Sequence, residues 1–518
     1  MADYAHHTAG IGFSANPYRT DQPSEKTMAA QQHQNERANV HRAAQIAARL
    51  DRLDVWSLSY LFIGIIGVGF LFTFYDIFDI NVSWLQSCVQ LHSGCTPANA
   101  GQPLKTVLLL NLAGYAIGTV ILSPIADRIG RKRMLMATLV LTGLGSLYNA
   151  LAPDYTNFVI ARTLTGLGIG ADLAIVNAYI GEVAPKNGRA RYTSVIFAFS
   201  AVGAFLGGFI GLFLTTPAAP WPTGLPFAIA GPHLEGSGWR WAYGLGALLA
   251  AFGLLMRFEL PESPRWLISR GHLDEAELVV RDMELRAGHK KLLPPVPPAS
   301  SVLPAVSLDK APLKELLGSG FYLRRIVLLL TMWLFAYATV YGFSSGYTVI
   351  LAGLTKNGKP VYSPPEAGLI AVIGVLGIIA AALFAAVFAE RMDRRFWLPF
   401  GTVVTFLGCY ITAIGGQHLY VAFLGSAIIF FGFDVWVGPT YALSAELFPT
   451  RARGTGFALV DGVGHLGGAF AILVIAPRLE HMSPLQAFLL IAAFQAVAAI
   501  ILQFAPRTRN VPLEKVSP

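Results

Sequence analysis

A chain of 518 residues with 54% hydrophobic and 13% charged side chains carries roughly half the charge of a soluble globular protein. Uncharged stretches of about twenty residues recur along it, each long enough to cross a hydrocarbon core of about 30 Å, which excludes an ordinary soluble core. The net charge of +8 is no nucleic-acid signal, because its carriers fall in short loops between apolar runs.

Residues 1–50 are polar, with no apolar core of the kind a cleavable signal peptide needs, and read as a disordered tail on the side of synthesis. Apolar runs then fall at Trp56–Ile80, Thr106–Ala126, Met134–Ala152, Phe158–Ile180, Tyr192–Leu214 and Trp241–Phe258. A second set falls at Ile326–Leu351, Ala367–Ala389, Phe396–Ile414, Leu419–Leu443, Gly454–Ala476 and Pro484–Phe504. Window length predicts about twelve helices. The expected fold is therefore an all-α membrane protein of two pseudo-symmetric six-helix bundles, 51–259 and 326–505. The interval 260–325 reads as a linker with one amphipathic surface helix at Asp274–Leu285 and a Pro-rich piece, and 506–518 as a closing tail.

Two pairs of echoes support a duplication. Asp127-Arg128-Ile129-Gly130-Arg131-Lys132 after the second helix is answered by Glu390-Arg391-Met392-Asp393-Arg394-Arg395 after the eighth. Glu182-Val183-Ala184-Pro185 with Arg189 after the fourth is answered by Glu446-Leu447-Phe448-Pro449 with Arg453 after the tenth. These cationic loops alternate with loops poor in Lys and Arg, which predicts that they, both termini and the linker are cytoplasmic. An acid beside arginines at helix ends is suited to a conformational latch, and Asp127, Arg128, Arg131, Glu182, Arg189, Glu390, Arg391, Glu446 and Arg453 are its candidates. A plain positive-inside anchor is the competing reading. In the first loop on the other side, Cys88 and Cys95 are either a disulfide or two free thiols.

Jointly these motifs resemble the major facilitator superfamily, over roughly Trp56 to Glu514. Pro261-Glu262-Ser263-Pro264-Arg265-Trp266-Leu267 after the sixth helix narrows the resemblance to the sugar-porter branch and its relatives that carry organic ions, and adds Glu262 and Arg265 to the latch. The seventh helix lacks the paired glutamines of sugar porters, and Gly438-Pro439-Thr440-Tyr441 lacks their tryptophan, so a standard hexose site is not expected. The resemblance implies a proton-coupled symporter of a sugar-like or organic-acid metabolite, neither an enzyme nor a nucleic-acid binder. It further implies a monomer in the plasma membrane, with the lipid bilayer and one small-molecule substrate as its partners. A proton-driven exporter, a phosphate:proton symporter and a transporter-shaped sensor are the alternatives.

Ionisable residues inside a membrane cost about 3 kcal/mol or more each and are functional candidates by default. Asp76 and Asp79 share one face near the outer end of the first helix, and the position of Asp76 is similar to the first-helix acid of proton-coupled relatives. Arg162 at similar depth in the fourth helix pairs with it, as a coupling device or as a permanent salt bridge. For the substrate cavity, Asp172, Tyr337, Tyr341, Asp434, Tyr441, Asp461 and His465 are candidates, with Trp333 extending the aromatic stripe of the seventh helix. Asp461 and His465, one turn apart, are placed to share a proton. Polar braces between helices and aromatic packing are the competing readings. No cofactor is expected beyond the coupling proton, and no metal site.

Overall fold

The structure is a computed structural model that describes residues 25–517 apart from 97–98, 186–187, 222–223, 230–233, 235, 299–311, 353, 357–358, 476–477, 479–481 and 512. Among the described residues, twelve helices are long and apolar enough to cross a membrane. The first six spans are Tyr60–Leu91, Gly101–Ile129, Arg131–Leu151, Tyr155–Val183, Arg189–Thr215 and Gly238–Arg257. The second six are Gly320–Ser344, Pro365–Phe388, Arg394–Gly415, Leu419–Glu446, Thr450–Ile475 and Pro484–Leu502. Outside the helices, Thr355–Lys356 pairs antiparallel with Lys359–Pro360 between the seventh and eighth spans.

Backbone groups in lipid must be satisfied internally, which is why the spans are helical throughout. Their ends are cut by local chemistry. Ser59, Asp154, Ser363 and Ser483 accept N–H bonds at the starts of the first, fourth, eighth and twelfth spans. Gly130 closes the second span at φ +115°, and a Cβ there would fall 2.4 Å from Glu262 Oε2. The glycine thus serves both the turn and the approach of Glu262, which accepts the backbone N–H of Arg131 at 2.9 Å and of Lys132 at 3.2 Å. Burial pushes the Glu262 carboxyl above its ordinary range, and these N–H bonds pull against the rise. Asp393, which stands in the glycine's place in the second half, has φ −60° and caps a short turn through the Arg395 N–H instead.

Three sequence expectations are corrected. The first span does not end near Ile80 but continues to Leu91. Asp76 therefore sits at the middle of this helix and not near its outer end. Asp76, Asp79 and Asn81 read as a helix exit, yet the two acids are buried inside the bundle, and the chain had no reason to turn there. Second, the tail is not disordered as far as residue 50. Glu25–Asp51 is a helix, whereas residues 1–24 lie outside the described residues. Its closing turns bury Ala43, Ile46, Ala47 and Leu50 and set Arg42, Arg49 and Arg52 against Leu273–Gly288, the linker helix that contains the predicted amphipathic stretch. Arg49 Nη2 lies 2.7 Å from Glu284 Oε2, Arg52 Nη2 2.7 Å from Glu284 Oε1, and Arg42 Nη2 2.8 Å from Glu277 Oε2. Arg265 reaches Asp51 at the edge of this clasp. Third, the linker holds two further short helices, Pro264–Ser269 and Pro312–Gly318. Cys88 and Cys95 form a disulfide, and Cys409 is a buried free thiol.

Candidate functional site

On the face that carries the linker helices, the two halves are tied by a reciprocal ionic seal. In the first half Arg131 pairs with Asp127 and, at 3.0 Å, with Glu182. In the second half Arg394 pairs with Glu446 at 3.1 Å and with Glu390 at 3.6 Å. Each set reaches the opposite half by the same means. Asp127 Oδ2 accepts the backbone N–H and the hydroxyl of Thr455 at 3.0 and 2.6 Å, and Glu390 accepts the Ala190 N–H at 3.0 Å. Arg453 Nη1 stands 3.6 Å from Glu182, and Arg189 Nη1 3.7 Å from Glu446. Arg128 and Arg391, expected in this latch, are exposed. The turn at Gly130 explains the difference, since it starts the third span at a buried Arg131 beside Asp127, while Arg128 in the last turn of the second span is exposed.

Above the seal, a cavity of about 110 Å³ lies between the halves. Arg162, Tyr337, Tyr341, Asp434, Tyr441 and His465 all line it, so the structure brings six of the sequence candidates to one space. Aromatic rings form a large share of its wall. The Trp333 ring is 5.1 Å from Tyr337 and 4.8 Å from Tyr441, and Phe197 lies 4.8 Å from Tyr441 on the other side.

Behind this wall, Asp461 is held by hydroxyls from both halves: Tyr337 donates to Oδ1 at 2.5 Å, and Tyr115 donates to Oδ2 at 3.2 Å. The eleventh span is π-helical over Ala458–Gly462, and such bulges commonly re-aim a side chain at a working site. Asp461 and His465 do not share a proton, because their closest approach is 4.0 Å. His465 Nδ1 instead donates to the Asp461 backbone carbonyl at 2.9 Å, while its ring stacks within 3.7 Å of Tyr115 and 3.6 Å of Tyr337.

Asp76 and Arg162 meet as expected, with Oδ2 2.8 Å from Nη1. Ser146 donates to the other carboxylate oxygen at 2.5 Å, and the guanidinium lies 5.5 Å from the Tyr243 ring centroid. The pair is buried, but its arginine also faces the cavity, so events there act directly on the pair. Asp79, one turn on, is fully buried, and among the described residues neither carboxylate oxygen has a partner within hydrogen-bond geometry.

Asp172 is the clear correction. It does not face the cavity but forms a two-pronged pair with Arg257, at 2.6 and 3.0 Å, and accepts the Thr138 hydroxyl at 2.8 Å. This is a brace among the third, fourth and sixth spans. Sequence reasoning missed Arg257, which lies next to the last residue of the sixth apolar run, Trp241–Phe258. Gly69 was the available signal, since a Cβ there would fall 2.3 Å from the guanidinium. Tyr115 was also missed, although Asn111, Tyr115 and Thr119 form a polar stripe at helical spacing on the second span.

The sequence profile of the "Sugar (and other) transporter" family matches residues 61–518. The niacin transporter NiaP of Acinetobacter baylyi is 27% identical over 480 residues, 91% of this chain and 99% of that protein. A D-xylose transporter of Levilactobacillus brevis is 26% identical, over 67% of this chain and 71% of its own length. Among solved structures, the proton:xylose symporter XylE bound to 6-bromo-6-deoxy-D-glucose matches with a TM-score of 0.71 at 19% identity, covering 89% of this chain and 99% of that one. The inward-open form of XylE from E. coli gives 0.60, also at 19% identity, covering 88% and 98%. These structures share the major facilitator fold of twelve spans. The chain belongs to the sugar (and other) transporter family, and it is a multi-pass membrane transporter with that fold.

Proposed function

We propose that the protein is a proton-coupled symporter that moves a small polar organic solute by alternating access. It works as a monomer in the plasma membrane, with both termini and the linker on the cytoplasmic side. The observation that carries this reading is the Asp76–Arg162 pair, buried at mid-membrane with its arginine on the cavity wall. A proton on Asp76 cancels the attraction that holds Arg162, which then becomes available to the cavity. Removing one charge from a buried pair costs about 3–5 kcal/mol, so protonation and cargo binding are coupled through the same guanidinium.

Opening toward the cytoplasm then requires breaking the seal around Arg131, Glu182, Arg394 and Glu446. Its parts are discrete ion pairs at helix ends, a bistable arrangement suited to rocking of the two halves. The names of the relatives suggest a pyridine acid or a pentose as cargo, and the aromatic wall favours a ring. The phosphate alternative loses support, because the acid it rests on, Asp172, is bound to Arg257 away from the cavity. The test is proton movement. Weakly buffered proteoliposomes should alkalinise the external medium when the transported solute is added outside, and solute entry without any proton movement would count against symport.

A further inference from the structure

The acids within the spans divide by partner. Asp76 is matched by Arg162, Asp172 by Arg257, and Asp461 by the hydroxyls of Tyr115 and Tyr337. Asp434 is different. It is half-buried near the middle of the tenth span, lines the cavity, and makes no hydrogen bond or ion pair among the described residues. Asp79 also lacks a partner, but it is fully buried and is not part of the cavity wall.

The charge balance of the cavity follows. Its charged wall residues are Arg162 and Asp434, and Arg162 is committed to Asp76. His465 spends its Nδ1 hydrogen on a backbone carbonyl. The space therefore presents one carboxyl without a hydrogen bond or ion pair among the described residues, on a wall shared with Trp333, Tyr337, Tyr341, Phe433, Trp436 and Tyr441, and a cation beside it would hold it ionised. Aromatic faces are negative and attract a cation most strongly where water is scarce. While Asp76 is ionised, an anionic cargo would have to displace Arg162 from it or sit against Asp434 unpaired, which is costly in a poorly solvated site.

We propose that this cavity selects a small planar ring carrying a positive charge, with the rings stacking on its faces and Asp434 as its counter-ion. The inference rests on the transport reading only in taking the cavity to be the cargo site, and it favours a cation over the acid or sugar that the relatives' names suggest.

The test uses three pyridine probes of nearly equal size: 1-methylnicotinamide, a fixed cation; nicotinamide, neutral; and nicotinate, an anion. Binding to the purified full-length protein is read from quenching of tryptophan fluorescence, since Trp333 and Trp436 line the cavity. The cation should bind at least about tenfold more tightly than nicotinate. Asp434→Asn should abolish that order while leaving nicotinamide within about threefold, and Asp434→Glu should retain it. Nicotinate binding as tightly as the cation, an order unchanged in Asp434→Asn, or no binding of any probe would overturn the proposal. So would loss of pH-driven uptake in Asp434→Asn without cation binding, which would make Asp434 a proton site. The wild-type comparison needs no variant to fold. Because it is made without a gradient, loss of proton coupling would sink the symport reading and leave this one standing.

Discussion

Asp127 caps the first turn of a helix in the opposite half of the protein, accepting two hydrogen bonds from Thr455, a residue 328 positions away. Glu390 repeats this from the other side through the Ala190 N–H. A carboxylate at a helix N-terminus is favoured by the exposed N–H groups and the dipole together. Each duplicated motif thus holds its own arginine and also grips the partner half.

Weakening one grip should bias the protein toward opening at the linker face. Hydrogen bonds to a charged group are worth about 1.5–3 kcal/mol, so Asp127→Ala should raise the open population roughly 10- to 150-fold. Spin labels at Arg128→Cys and Arg391→Cys, both exposed positions, would report it as a longer distance between the halves. An unchanged distance distribution would show that Asp127 is no latch.

Asp172 should behave as a structural residue. Asp172→Asn strands Arg257 in the first bundle and should cost about 3–5 kcal/mol of stability. Thermal unfolding should fall sharply, while the folded fraction keeps its affinity for cargo. A variant with normal stability and lost binding would return Asp172 to the cavity.

The Tyr115–Asp461 bond joins the two halves beneath the aromatic wall. Tyr115→Phe removes the hydroxyl and leaves the ring that stacks on His465. Tyr115→Phe and Asp461→Asn should be non-additive in a double-mutant cycle, with a coupling of about 0.5–3 kcal/mol read from thermal unfolding. Additivity would mean that the bond contributes nothing.

The amino-terminal clasp should be sensitive to acid and salt. Hydrogen bonds from Arg42 hold the Glu277 carboxyl below its ordinary value of 4.5. Burial pushes Glu284 up, but Arg49 and Arg52 outweigh it and bring that carboxyl below the ordinary value too. Carboxyls depressed in the docked state add stability above the ordinary value, and that stability is lost as pH falls through the docked value. Protection factors over Glu25–Asp51, taken against the intrinsic exchange rate at each pH, should therefore fall as the pH drops below about 4.5 and, at neutral pH, as salt is raised. Protection unaffected by either condition would show that apolar burial alone docks the helix.

The twelve spans and their duplication were legible because hydropathy and motif spacing are local properties. Six cavity residues were legible too, since an ionisable or aromatic stripe inside a span has few reasons to be there. What escaped depends on partners distant in sequence. Nothing local says that Asp172 meets Arg257, or that Arg49 and Arg52 find Glu284 in the linker. The first span was cut short for the same reason: Asp76 and Asp79 resemble a helix exit until the bundle that buries them is in view. For the latch, the turn at Gly130 decides between neighbouring arginines, and the sequence motif alone did not separate Arg128 from Arg131.

In the proposed symport, Asp76 is the group that joins proton to cargo. In proteoliposomes, Asp76→Asn should still exchange labelled solute across the membrane but fail to concentrate it under an inward proton gradient. If the variant accumulates solute as the wild type does, the Asp76–Arg162 pair is a fixed brace and the coupling lies elsewhere.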